Sequence, residues 1–195
     1  MGKRKQVGLT MIELMIGLTI FTMLLLSGAP SFSGWIQSLH IRNAAESIQN
    51  GLTLARAEAV RRNKSVSFHF VTSLASACAT STSAGNWVVS RSDPTGKCDV
   101  APSDSSSPRT IERHSTNEGA ANAAVAADQA TITFNSLGRI SNLAAATAAI
   151  NISNPSGGAC AIDGGRIHCL RVDVTSAGQV RMCDPALGAS DVRAC

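Results

Sequence analysis

Six cysteines, and one carboxylate within an apolar stretch, are the side chains of this sequence whose types and spacing point to chemistry. The cysteines are Cys78, Cys98, Cys160, Cys169, Cys183 and Cys195. Their number is even and no Cys-x-x-Cys pair occurs, which favours disulfide bonds over a zinc site. His168 is adjacent to Cys169 rather than spaced as a second metal ligand. We therefore predict disulfides in an oxidising compartment, with no metal and no other cofactor.

The spacing of the cysteines leaves their connectivity open, and the predicted hairpins favour one set of pairs. A Cys78–Cys98 bond would close the hairpin that contains Trp87, and a Cys169–Cys183 bond would close the last hairpin. Cys160–Cys195 then remains as the third pair. Each bond is expected to stabilise the domain by ~2–4 kcal/mol.

Residues that could support catalysis are scattered along the chain. The histidines occupy four distant positions: His40, His69, His114 and His168. The sequence contains no His-Glu-x-x-His motif, no Gly-x-Ser-x-Gly motif and no glycine-rich phosphate loop. We therefore predict that the protein is not an enzyme.

The carboxylate is Glu13, the only charge in the apolar stretch Leu9–Ala29. A helix of this length crosses a hydrocarbon core of ~30 Å. The preceding basic segment, Lys3-Arg4-Lys5, predicts a cytoplasmic N-terminus with the rest of the chain across the membrane. A secretory signal peptide is the alternative, but Pro30 would follow its cleavage site, and a discarded leader has no use for an intramembrane carboxylate.

The composition of the chain shows that the apolar stretch is followed by a globular part, which we call the body. The 195 residues are 44% hydrophobic and 15% charged, so the chain can bury one globular core. The net charge is +4, but much of the excess lies in the basic head, so the body is nearly neutral. A generally basic nucleic-acid-binding domain is therefore not predicted.

The N-terminal segment Lys3–Ile16 resembles the class III leader of type IV pilins and type II secretion pseudopilins. The resemblance implies that a prepilin peptidase cleaves after Gly8 and methylates the new first residue, Leu9. Glu13 is then the fifth mature residue, which in this family meets the N-terminus of another subunit during assembly. Pro30 corresponds to a proline that bends the helix in many pilins.

The helix is predicted to continue beyond the apolar stretch to about Arg62, a length of ~80 Å. Its buried face follows a 4-3-4-3-4 spacing of Ile41, Ala45, Ile48, Leu52, Ala55 and Ala59. Asn63 is expected to cap its C-terminus. The stretch Leu54–Asn63 is similar to the FimT/GspH group of minor pilins and pseudopilins.

Short strands are predicted after the helix, because apolar and polar residues alternate between turn-forming clusters. The predicted strands are Val66–Phe70, Asn86–Arg91, Arg109–His114, Thr131–Phe134, Arg139–Ser141, Ala149–Ile152, Ile167–Val174 and Gly178–Met182. Ser103–Pro108 and Gly119–Ala130 are predicted loops. The expected fold is α+β and pilin-like, with the long helix packed on an antiparallel sheet. The predicted segments are a leader (1–8), a membrane or filament-core helix (9–30), its amphipathic continuation (31–63) and a β-rich periplasmic domain (64–195).

The last hairpin, Cys169–Pro185, resembles the C-terminal segment of FimT-type minor pilins. Some of these carry a Gly-Arg-x-Arg motif that binds double-stranded DNA in natural transformation. This chain keeps Gly178 and Arg181 but has Gln179 where the first arginine would be. With Arg171 these are the candidate DNA-binding residues, although neighbouring aspartates offset their charge.

The sequence therefore predicts a structural minor subunit of a type IV pilus or a type II secretion pseudopilus. The expected partners are other pilin subunits, the prepilin peptidase and the bacterial inner membrane. A DNA-binding minor pilin is the alternative function. A membrane-anchored periplasmic protein unrelated to filaments is a third interpretation.

Overall fold

The computed structural model describes residues 10–143 and 145–195, and for residues 26–33 it describes the backbone alone. Within these residues the chain forms one long helix, α1 (Met11–Arg62), followed by short strands. The strands are β1 (Val66–Val71), β2 (Asn86–Ser90), β3 (Thr110–His114), β4 (Ala124–Ala127), β5 (Thr131–Phe134), β6 (Thr147–Ser153), β7 (Leu170–Thr175) and β8 (Val180–Cys183). Two short 3-10 helices, Pro155–Gly157 and Ala161–Asp163, lie between β6 and β7.

Both ends of α1 are capped by polar residues, which explains where the helix begins and ends. The Thr10 hydroxyl accepts a hydrogen bond from the backbone N–H of Glu13, at 3.3 Å. Asn63 adopts the left-handed conformation, with φ 49° and ψ 42°, and its N–H donates to carbonyls of the last turn. The predicted helix and its Asn63 cap are confirmed.

The C-terminal half of α1 forms one wall of the hydrophobic core. All six residues of the predicted apolar face are essentially inaccessible to solvent: Ile41, Ala45, Ile48, Leu52, Ala55 and Ala59. Gly51 lies beside this face, where a Cβ would come within 2.7 Å of the Phe68 ring and 3.0 Å of the Trp87 ring. The glycine therefore lets two aromatic side chains approach the helix backbone.

The strands form two antiparallel sheets rather than the single sheet predicted from the sequence. Sheet A has the order β3-β2-β1-β5, and sheet B has the order β4-β6-β7-β8. Sheet A ends at β5 because a return segment, residues 139–142, occupies the outer edge of that strand. In this segment Ser141 N–H donates to the Thr133 carbonyl, and Asn142 Oδ1 accepts from Thr133 N–H. The α+β class with a long helix on antiparallel strands is confirmed.

Two of the predicted local assignments are wrong. Arg139–Ser141 is not a strand but part of this return segment, linked to β5 through an isolated bridge at Ile140. Gly119–Ala130, predicted as a loop, contains β4, which pairs with β6. Val125 is the only large apolar side chain in β4, so the sequence carries no alternating pattern there.

The structure contains three disulfide bonds, Cys78–Cys98, Cys160–Cys169 and Cys183–Cys195. The predicted Cys78–Cys98 bond is present, and it closes a small core on the side of sheet A remote from α1. The predicted Cys169–Cys183 and Cys160–Cys195 bonds are wrong. Cys169 packs in the main core, whereas Cys183 lies on the opposite face of sheet B, with its Sγ near Asp173.

Candidate functional site

Glu13 lies in the first turn of α1 and is exposed to solvent. Besides the backbone contact described above, its Oε2 atom lies 3.5 Å from the Thr10 hydroxyl. The pair has the spacing of a capping box, in which a glutamate three residues after the cap turns back toward it. In the isolated subunit Glu13 therefore faces polar atoms of its own helix end.

The residues that follow Glu13 form an apolar segment that the body does not cover. Every described side chain from residue 10 to residue 25 is exposed, and most of them are large and apolar. They lie on all sides of the helix, since consecutive residues such as Leu24 and Leu25 are exposed alike. Among the described residues, no helix contains a stretch that is both long enough and apolar enough to cross a membrane.

Three of the predicted N-terminal site residues have only a limited structural context. Gly8 and Leu9, the predicted cleavage and methylation positions, lie outside the described residues. The side chain of Pro30 also lies outside them, and the backbone there is helical. The predicted proline bend therefore does not interrupt α1, and a change in the direction of its axis stays a prediction.

The C-terminal hairpin formed by β7 and β8 turns at Gly178, where the backbone has φ +80°. A Cβ on this residue would lie 1.9 Å from the carbonyl oxygen of Gly138. Gly138 also has a positive φ, of +72°, and it belongs to the turn that leads into the return segment beside β5. The two glycine turns therefore touch, and they join sheet A to sheet B at this end of the body.

The two arginines of the hairpin are engaged by neighbouring groups. Arg171 donates to the Asp173 carboxylate, at 3.3 Å. Arg181 donates to the backbone carbonyls of Val192 and Ala194, at 3.0 and 2.6 Å. Gln179 is exposed beside the turn. The arrangement gives Arg181 a structural role, because its guanidinium already binds the segment that follows β8.

That segment, residues 184–195, forms a C-terminal strap that is fastened at several points. The Cys183–Cys195 bond closes it, and Asp184 N–H donates to the Arg193 carbonyl at 2.8 Å. Hydrogen bonds from the side chain and backbone of Arg193 lower the pKa of Asp191 to about 2. The Asp184 carboxylate also lies within hydrogen-bond distance of His168, with 2.6 Å between Oδ2 and Nδ1.

Arg56 is a cation at the two glycine turns that the sequence analysis did not select. A Cβ at Gly138 would lie 3.1 Å from the Arg56 Nε atom, and a Cβ at Gly178 would lie 3.4 Å from it. The Arg56 side chain is exposed, and within the described part of the chain it forms no ion pair. Nothing in the sequence indicated that Arg56 lies near the hairpin, because the contact joins elements that are distant along the chain.

The other helical arginines near this end are neutralised. Arg61 and Arg62 both pair with Glu58, and Arg62 also contacts Asp104 of the loop before β3. The pKa of Glu58 is lowered mainly by hydrogen bonds from the Arg61 side chain. These residues therefore tie the end of α1 to the Ser103–Pro108 loop.

One group of potential metal ligands occurs among the described residues: Asp173, Cys183 and Cys195. The two cysteines are bonded to each other, so neither offers a thiolate to a metal. The group does not fit a zinc site.

Comparison with known proteins gives one family and one solved relative. The family model of "Type II transport protein GspH" matches residues 44–190. The chain is 15% identical to the type IV minor pilin FimU of Pseudomonas aeruginosa (strain PAO1) in two crystal forms. The superpositions cover 77% of this chain and 94% or 90% of FimU, with TM-scores of 0.47 and 0.48. No curated protein matches the chain.

Proposed function

The chain belongs to the GspH family of type II transport proteins, and from this premise we propose that it is a structural minor subunit of a type IV pilus or of a type II secretion pseudopilus. Proteins of this family are structural subunits, so the predicted lack of enzymatic activity follows from membership. The family also implies assembly with other pilin or pseudopilin subunits.

The observation that carries the proposal is the exposed apolar segment of α1. The described residues from Met11 to Leu25 bury nothing against the body, although they include many large apolar side chains. Exposed apolar surface of this extent is stable only against lipid or other protein. We propose that this segment anchors the subunit in the inner membrane and packs against neighbouring subunits in the filament.

Processing of the N-terminus completes the proposed assembly mechanism. Cleavage after Gly8 by a prepilin peptidase would leave the free amine of Leu9, which the enzyme methylates. The Glu13 carboxylate would then exchange its contacts at Thr10 for the amine of a neighbouring subunit. Among apolar helices such a pair fixes the register, because an unpaired charge there is costly.

The test uses the full chain, expressed with a prepilin peptidase and the other subunits of its own pilus or secretion system. For the natural chain we expect an intact mass that lacks residues 1–8 and carries one methyl group, together with recovery in the filament fraction. Glu13→Ala should be processed normally but recovered in filaments at least about tenfold less, because a buried amine is left unpaired.

Glu46→Ala is the matched control, since Glu46 is a glutamate of the same helix whose ion pair with Arg42 is exposed. Its filament recovery should equal that of the natural chain. An uncut leader, or cleavage near Ala29, would contradict the proposed processing. Normal recovery of Glu13→Ala would contradict the assembly role of the carboxylate.

A second candidate function, capture of double-stranded DNA, is favoured by the position of Arg56. This exposed cation lies at the same glycine turns as Gln179, next to the hairpin that resembles a DNA-binding segment. Arg181 is held by the C-terminal strap and is therefore a weaker candidate for contact with phosphate.

DNA retention by the full chain in detergent, measured across a range of salt concentrations, tests this candidate. If DNA is bound, Arg56→Ala should weaken retention and reduce the slope of log affinity against log salt by ~1. Arg42→Ala, at the opposite end of the body, should leave both unchanged. Absence of retention by the natural chain at ~50 mM salt would reject DNA capture.

A further inference from the structure

The connection between β6 and β7 lies at the end of the body from which the apolar segment of α1 emerges. Sheet B runs alongside α1, because the Gly178 turn at its far end contacts Arg56 while the β6–β7 connection contacts Gln37. Asn154 is fully buried and donates to the Gln37 side chain at 2.6 Å. A Cβ on Gly157 would lie 3.0 Å from the Cβ of Gln37.

The helix at this level carries large exposed side chains between the apolar segment and the body. Trp35 is 58% exposed, and Leu39, one turn later, is partly exposed. Trp35 lies about 15 Å farther along the helix axis than Leu25. Tryptophan is enriched where a membrane helix leaves the hydrocarbon core and enters the headgroup region.

The β6–β7 connection ends in a small loop that is closed by the Cys160–Cys169 bond. Ile162 is at its tip and is 57% exposed, whereas Ile167 is buried and holds the loop against the body. Asp163 and Arg166 are both exposed, so the charges of the loop offset each other. The loop therefore presents an exposed isoleucine at its tip, with one acidic and one basic side chain beside it.

We propose that the Cys160–Cys169 loop contacts the surface of the lipid bilayer, with the Ile162 side chain inserted at the headgroup boundary. The proposal rests on the proposed membrane anchoring of α1. Continuity with the apolar segment favours lipid as the partner, since the loop and Trp35 are attached at the same end of the body. An apolar side chain at this depth is stabilised by the burial of its own apolar surface, so the contact does not require a net positive charge on the loop.

Tryptophan fluorescence in vesicles tests the contact with the complete chain. Trp35→Phe removes the tryptophan nearest the membrane and leaves Trp87, which is buried in the body, as a constant background. Ile162→Trp is added to this background, and the protein is reconstituted into phosphatidylcholine vesicles with or without brominated acyl chains. Zwitterionic lipid excludes attraction by charge as the source of a signal.

We expect the brominated chains to quench the tryptophan at position 162 by about half, because an interfacial side chain reaches ~5–10 Å into the headgroup and acyl boundary. Leu137→Trp in the same background is the matched control. Leu137 is 77% exposed, and its neighbour Gly138 contacts Arg56, which lies about 28 Å farther along α1 than Gln37. Its tryptophan should not be quenched.

Leu18→Trp, within the apolar segment, reports whether α1 itself enters the bilayer. If the tryptophan at 18 is quenched while those at 162 and 137 are not, the loop contact is wrong and the anchoring stands. If the tryptophan at 18 is not quenched either, the anchoring is wrong and the loop contact fails with it. Equal quenching at 162 and 137 would also overturn the proposal.

Discussion

Gly178 cannot carry a side chain without moving the backbone around it. Gly178→Ala should lower the free energy of unfolding by ~2–5 kcal/mol, because a left-handed alanine costs ~1–2 kcal/mol and overpacking adds ~1–3 kcal/mol. The clash is with the Gly138 carbonyl oxygen, which belongs to the turn that follows β5 of sheet A. Urea unfolding of the full chain in detergent measures the loss.

Gly164→Ala separates the two contributions to this loss. Gly164 has a similar φ, of +81°, but a Cβ there meets no atom within 4 Å. Only the conformational cost of ~1–2 kcal/mol is therefore expected. Equal losses for the two variants would contradict the close approach of the two glycine turns.

His69 is buried in sheet A, and its pKa predicts how stability depends on pH. Burial lowers this pKa from 6.5 to about 4, although the Asp93 carboxylate opposes the shift. The unfolded chain therefore binds a proton near pH 6.5 that the folded chain does not take up until about pH 4. Stability contributed by neutral His69 should be complete above pH 6.5 and fall by roughly 2–3 kcal/mol as the pH drops to about 4.

His69→Gln isolates this contribution from that of the other titrating groups. Glutamine keeps a partner for the Thr131 hydroxyl, which lies 3.0 Å from His69 Nδ1, but does not titrate in this range. Urea unfolding at pH 7 and pH 4.5 should show a smaller loss for the variant than for the natural chain. Identical pH dependence would show that His69 is accessible to protons in the folded state.

The C-terminal strap is an element held by one disulfide and a few hydrogen bonds. Replacing both Cys183 and Cys195 by serine should lower the free energy of unfolding by ~2–4 kcal/mol. Local opening of the strap should then raise the rate of tryptic cleavage after Arg193 by about tenfold or more. Mass spectrometry of the full chain under native conditions measures this rate.

The Cys78–Cys98 bond provides the comparison for this prediction. Replacing both of these cysteines by serine should cost a similar amount of stability, but the bond lies under the loops outside sheet A. Cleavage after Arg193 should then remain slow. Fast cleavage in both double variants would mean that the strap opens only with the whole domain.

Elements whose own residues carry a pattern were predictable from the sequence. The α1 face from Ile41 to Ala59 has helical spacing, and the alternation around Phe68 marks β1. β4 carries one large apolar residue, Val125, and was missed for that reason. The return segment beside β5 has strand-like residues, but side-chain bonds from Asn142 replace regular pairing there.

The candidate site was predictable only in part, because its contacts join distant segments. The exposed apolar segment around Glu13 follows from local composition. The engagement of Arg181 by the strap depends on the Cys183–Cys195 bond, and the nearness of Arg56 to Gly178 depends on how sheet B packs on α1. Neither is encoded in the spacing of nearby residues.

For the molecule as a whole, stability should reside in the body and not in the apolar segment. Deleting residues 1–25 should leave the Tm unchanged within about 2 °C, since none of the described side chains in that range is buried. Deleting residues 1–40 should lower it by roughly 3–10 °C, because Asn154 loses its hydrogen bonds to Gln37 and the β6–β7 connection loses the helix segment that packs on it. Thermal unfolding followed by circular dichroism distinguishes the two deletions. A large drop for the shorter deletion would contradict the independence of the body.

Because α1 is a single helix of 52 residues, a tensile load applied to its first turns reaches the body along continuous backbone hydrogen bonds. Both sheets pack on the same stretch of this helix, so the load arrives as shear across interlocked side chains such as Ile41, Ile48 and Leu52. Shear must break these contacts together, whereas peeling would break strand pairs one at a time. A subunit built in this way is suited to bear force along its own long axis.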